Sequence, residues 1–282
     1  MKRGYPLSAE ALLYSVVLKK KAGIYGVENV LADIGEAEYP AFARRAEEEL
    51  VACGAGELDF GDGMSLTEEF DALMDLCTDC AGVVAVDVKG EKGLRHMTFY
   101  LGAEQVPVLV RAEQGYMLYP QSDAGQMLEE FLALPEDRFD FPPCRLDSGK
   151  AAGTKASDLA AQGLGSEEAA FLAQALNGGH SFCQVSRIEG FEKNELLPFV
   201  YSDQGCAEIS VEYDSDKEYL VFAAVGREEL LGRIEKMLTE EMVTSFDEKE
   251  YDGIEYLPEE EAAIERDEEL AGNDEEPEEG GE

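Results

Sequence analysis

The stretch "SLTEEFDALMDLCTDCAGVVAVDV", residues 65–88, has a second version further along the chain, "LGSEEAAFLAQALNGGHSFCQVSRI", residues 164–188. Each couples apolar residues at helical spacing to a run rich in strand formers. Glu68 aligns with Glu167 and Val86 with Val185, an offset of 99. Moving outward, "HMTFYLGAEQVPVLVRAEQGYMLYP" (96–120) answers to "LPFVYSDQGCAEISVEYDSDKEYLVFAAV" (197–225). The offset there becomes 101, pairing Tyr100 with Tyr201 and Val110 with Val211, and it reaches 103 at Leu128 and Leu231. Growth in small steps at loops is what a duplication with insertions leaves behind.

Each copy therefore reads as a helix, four short strands and a closing helix. Ser65 and Glu68 have capping-box spacing at the start of the first helix. In the strands, Met97, Phe99 and Leu101 alternate with His96, Thr98 and Tyr100. Likewise Ala207, Ile209 and Val211 alternate with Glu208, Ser210 and Glu212. Alternation implies one buried sheet face. The links "GAEQ", "AEQG" and "DSDKE" are too short for parallel crossovers, so the expected fold is α+β, two pseudo-symmetric halves, each an antiparallel meander with packed helices.

The first half is placed at 1–140, with residues 7–60 mostly helical, and the second at 141–238. A linker is expected at "PEDRFDFPPCRLDSGKAAGT", residues 135–154, where proline and glycine interrupt periodicity. Residues 239–282 form an acidic tail whose low apolar content predicts disorder, with "YDGIEYLP" able to dock locally or on a partner.

The chain holds 62 acidic and 23 basic residues, a net charge of −39, of which −18 falls in residues 240–282. Such a charge repels phosphate backbones and anionic lipid, so neither nucleic acid nor membrane is an expected partner. No apolar run approaches the ~18 residues of a membrane span. The basic start and short apolar run near the N-terminus lack a cleavage pattern, which predicts a cytoplasmic protein with free thiols.

Cys77 and Cys80 have C-x-x-C spacing. They fall in the last turn of their helix, the dipole end that disfavours a thiolate, and they continue the stripe of Leu66, Phe70 and Leu73. Cys77 also aligns with Leu176, so it reads as a packing position. No further motif completes a four-ligand zinc site. His96 sits on the polar side of a strand and His180 in a loop, neither beside a nucleophile motif. "DSDKEY" has Tyr219 where a calcium loop needs glycine and reads as a hairpin turn, and "GAGELDFGDG" fits no phosphate loop. The expectation is a protein that is not an enzyme, with no catalytic residues, no metal and no cofactor.

A helical N-terminus, Leu50…Gly54…Gly56-Glu57-Leu58 before a helix, a strand with Phe99-Tyr100, alternating valines, Tyr116-Met117-Leu118 and then a second similar half resemble the EspG family. These are cytoplasmic chaperones of ESX (type VII) secretion systems. The resemblance spans residues 5–238 and implies a pseudo-two-fold binding protein that keeps a helical secreted client soluble. The acidic tail departs from it. For contact residues, "EGFEKNELLP" (189–198) reads as the longest hairpin tip of the second copy, with Phe191, Leu196 and Leu197 as candidates for protein binding. The alternative is an acidic immunity-type protein that neutralises a basic toxin.

Overall fold

The computed structural model describes residues 4–59, 63–91, 93–102, 105–120, 123–136, 139–190 and 192–239. Of the expected tail, 239–282, Thr239 belongs to the last helix and the rest lies outside the described residues, as does Phe191. In chain order the elements are β1 (Tyr5–Leu7), α1 (Ala9–Leu18), α2 (Tyr39–Cys53), β2 (Gly56–Asp59), β3 (Gly63–Leu66) and α3 (Glu68–Thr78). Then come β4 (Gly82–Gly90), β5 (Gly93–Leu101), β6 (Val108–Ala112), β7 (Gly115–Tyr119) and α4 (Ala124–Leu132). The second half follows with β8 (Cys144–Asp147), α5 (Ser148–Ala151), α6 (Ala156–Ala160), α7 (Ser166–Leu176) and β9 (Ser181–Glu189). It ends with β10 (Glu192–Tyr201), β11 (Cys206–Asp214), β12 (Lys217–Ala224) and α8 (Arg227–Thr239).

Ten strands form one antiparallel sheet in the order β1-β7-β6-β5-β4-β9-β10-β11-β12-β8, and β2 and β3 form a separate hairpin. The order is a palindrome about the β4–β9 pair. Val86 lies opposite Val185 in that pair. These are the residues the repeat equates at its start, so a pseudo-two-fold axis passes between them.

The sheet register corrects the sequence alignment. Ladder by ladder, β5 maps onto β10 and β6 onto β11 with an offset of 100, not 101. Phe99 therefore matches Phe199, and Tyr100 matches Val200. A slip of one residue turns every side chain to the opposite face. The correct register puts Phe99 and Phe199 in one shared core.

Two strands escaped the sequence reading. β1 lies at the start of the stretch expected to be mostly helical, with only Leu7 inside it, and β8 lies inside the expected linker. Both are edge strands that run straight into a helix. Ser8 Oγ accepts the Ala11 N–H at 3.1 Å to cap α1, and Asp147 Oδ1 accepts the Gly149 N–H at 3.0 Å to cap α5. Each thus plays the N-cap role that satisfies an orphan helical donor. The expected capping box at Ser65 is absent. Thr67 is the N-cap of α3, without a side-chain cap bond, and Ser65 belongs to β3.

One face of the sheet is covered by α4 and α8, whose Leu128, Leu231 and Ile234 pack on Val86, Phe99, Val185 and Phe199. The last turn of each helix is held by an arginine from the central strands. Arg95 donates to the Phe131 carbonyl at 2.8 Å, and Arg187 to that of Met237 at 3.0 Å. A cation there complements the negative end of the helix dipole.

The opposite face carries two separate helical lobes. Over the first half, Phe42, Leu50, Phe70 and Met74 of α2 and α3 pack on Val83, Tyr100 and Leu118. Over the second, Leu159, Phe171 and Leu172 of α6 and α7 pack on Val200, Ala207 and Phe222. Cys77 is buried in the first lobe, where desolvation pushes its thiol pKa up and away from a reactive thiolate.

Candidate interaction surface

The two lobes cover their sheets unequally. In the first half, residues 19–38 between α1 and α2 lie over β5, β6 and β7. Lys19 anchors this segment to Asp71 and Asp75 of α3, at 2.5 and 3.1 Å, and Lys21 to Asp79. Tyr100 Oη donates to the Tyr25 carbonyl at 2.7 Å, and the Glu28 N–H donates to Tyr116 Oη at 3.0 Å. Glu28 also faces Arg111 at 3.5 Å. Ile24, Val27, Val30 and Leu31 pack against the core.

Gly26 makes the closest approach. Its φ is +81°, and a Cβ there would lie 2.6 Å from Thr98 Oγ1 and 2.9 Å from His96 Nε2. Only glycine meets both demands. Beneath it, His96 bridges Asp87 and Thr98, with Nδ1 2.7 Å from the carboxylate and Nε2 2.7 Å from the hydroxyl. A hydroxyl–imidazole–carboxylate row has the outline of a nucleophile relay. Here Thr98 is buried and Gly26 fills the direction from which a substrate would approach, so the row works as a pin beneath the covering segment.

In the second half, α5 and α6 are only four and five residues long, and among the described residues no counterpart of segment 19–38 exists. The register equates His96 with Leu196, Thr98 with Pro198, Arg111 with Val211 and Tyr116 with Leu220. Leu196 is 50% exposed, Val211 48% and Tyr213, two residues further along the same face, 74%. Polar His96 and Thr98 thus lie beneath the segment where the second half has Leu196, half exposed, and Pro198, while Arg111 and Val211 are both exposed. Solvent alone favours the reverse; apolar groups left bare together mark an interaction surface.

Of the residues expected to bind protein, Leu196 lies on this surface. Leu197 points to the other face and is 2% exposed in the central core, out of a partner's reach. The expected long tip at 189–198 is mostly strand, since Glu189 and Glu192 are already paired. Sequence reasoning missed Val211 and Tyr213. Their alternation was legible, but it pointed to a buried face; only the shortness of residues 148–165 compared with residues 9–67 signals that nothing covers them.

His180 lies elsewhere. It stacks on Phe171, ring centroids 4.7 Å apart, and lines a cleft of about 640 Å³ with Arg95, Tyr201 and Asp203. Burial lowers its pKa. The two histidines share no site. Among the described residues, no group of three His, Cys, Asp or Glu side chains is placed to hold a metal ion, and no helix is long and apolar enough to cross a membrane.

The sequence matches no protein-family model, and no curated protein matches it. The structure does match a solved one: the Mycobacterium tuberculosis type VII secretion system chaperone EspG5, in complex with a PE25–PPE41 dimer. The likeness has a TM-score of 0.55 and spans 83% of this chain and 95% of that one. This chain has the EspG fold. At 10% identity the likeness to EspG5 extends to the fold and not to individual residues.

Proposed function

We propose that this chain is a non-enzymatic adaptor and chaperone that holds a helical, secreted client soluble in the cytoplasm. The EspG fold supports the class, and the second-half surface of Leu196, Val211 and Tyr213 supplies the contact. The observation that carries the reading is the replacement of His96 and Thr98 by Leu196 and Pro198 where the covering segment is missing, beside the exposed Val211 and Tyr213. A bound client would there do for the second half what residues 19–38 do for the first. Phe191 belongs to the same proposal as a further candidate for client contact. Residues 1–140 and 141–238 act as two halves of one duplicated unit, and 239–282 as an acidic extension that keeps the complex soluble.

The test is affinity capture from the native host with the full chain and with Leu196→Glu/Val211→Glu. Recovery of a helical secreted protein by the first and its loss from the second supports the reading. Equal recovery by both sinks the surface. The net charge of −39 favours a second reading, an immunity-type protein bound to a basic toxin. Salt separates the two: an apolar contact holds between about 50 and 500 mM, whereas charge-steered association weakens steeply over that range.

A further inference from the structure

The ladder between β10 and β11 ends two residues sooner than its first-half counterpart, and it ends at a proline. Across their turn the Ser202 N–H donates to the Gly205 carbonyl at 3.1 Å. Bonding residues alternate along an antiparallel strand, so Val200, Pro198 and Leu196 face β11 in turn. Proline has no N–H to give. Pairing accordingly ends at Phe199 opposite Glu208. In the first half the Tyr100 N–H donates to the Pro107 carbonyl at 3.0 Å, Thr98 takes the next bonding position, and pairing continues to Met97 opposite Val110.

Beyond Pro198 the two strands run on without pairing to each other. β10 continues to Glu192 bonded to β9, and β11 continues to Asp214 bonded to β12. The sheet therefore opens a fork, on whose β11 side the backbone groups of Ile209, Val211 and Tyr213 face away from β12. The outer sheet edges are shorter, three residues in β1 and four in β8, and both run into capped helices. Leu196, Val211 and Tyr213 flank the fork on one face, and the exposed Glu195, Asp216 and Glu218 lie near it, while Glu212 and Asp214 on the other face pair with Arg145.

We infer that the fork beside Pro198 binds an extended protein segment as an added strand along β11. Alternate apolar side chains of that segment lie beside Leu196 and Val211, and flanking lysines or arginines meet Glu195, Asp216 and Glu218. Backbone bonds hold such a strand, and side-chain alternation selects it. The inference rests on the client-binding reading above and names the part of the client that enters: a strand contiguous with its helical body.

The test uses the full chain and a labelled peptide, Lys-Val-Thr-Val-Thr-Val-Thr-Lys, with a twin N-methylated at alternate amides. Hydrogen exchange should slow at least about tenfold at Val211 and Tyr213 when the unmodified peptide saturates, and the twin should have no effect. Pro198→Thr restores the missing donor. It should slow exchange at Ile209 without peptide and weaken peptide binding about tenfold. Unchanged exchange at 209–213 on saturation, or equal protection by the methylated twin, overturns the inference. Strand pairing combined with undiminished client capture by Leu196→Glu/Val211→Glu instead overturns the proposed client surface, so the two failures are distinguishable.

Discussion

Residues 19–38 lie over one half of the sheet, while part of the matching face of the other half, around Leu196, Val211 and Tyr213, is left to solvent, and the side chains there differ accordingly. Under the segment, His96 is bonded on both sides and Thr98 is buried, while the half-exposed Arg111 faces Glu28. At the equivalent positions Leu196, Pro198 and Val211 have no hydrogen-bonding side chain at all. A polar group beneath a cover can be satisfied by the cover and by its neighbours. An apolar group on an open face gains only when something else arrives. One scaffold thus carries a surface finished from within and a surface left to be completed.

The shared core should fail in the same way from either side. Phe99→Ala and Phe199→Ala empty matching positions of one cluster, and each should cost about 3–5 kcal/mol in urea unfolding. A large cost for one and a small cost for the other breaks the pseudo-symmetry. Next in size is Gly26→Ala, which places a Cβ against Thr98 in a left-handed conformation and should destabilise by about 1–3 kcal/mol. A neutral result means that segment 19–38 does not sit on His96 and Thr98.

Exchanging residues between the halves sharpens the contrast further. His96→Leu strands the buried Thr98 hydroxyl and removes the partner of Asp87, for an expected loss of about 1–3 kcal/mol. The reciprocal Leu196→His lies in the open and should change stability by no more than about 0.5 kcal/mol. The smallest effect concerns His180. Burial lowers its pKa, so the folded chain binds this proton less readily than the unfolded chain does. Stability is then lost as pH falls below the unfolded value of about 6.5. His180→Gln should flatten the drop in urea midpoint between pH 7.5 and 5.5 relative to the unsubstituted chain.

Much of the fold was legible in the sequence. The helix-then-four-strands pattern, the antiparallel links and the anchor at Val86 and Val185 all follow from apolar periodicity, which the sheet obeys. The edge strands were not legible: β1 is three residues containing a proline, and β8 four residues beside Pro142-Pro143, both too short for alternation to register. The offset was misread by one because Tyr100 and Tyr201 are alike in identity while they face opposite sides of the sheet. Of the proposed surface, Leu196 was among the candidates that the sequence offered. Val211 stayed hidden because alternation marks which face a residue is on but carries no information about what covers that face.

Backbone hydrogen exchange on the free, full-length chain tests the difference between the halves most directly. Leu109 sits in the first-half ladder opposite Thr98, and its counterpart Ile209 faces the open fork opposite Pro198. Exchange should be slow at Leu109, and faster by a factor of about 100 or more at Ile209, Val211 and Tyr213. Equal protection at Leu109 and Ile209 would mean that both halves are closed, and the second would then offer a partner nothing that the first does not.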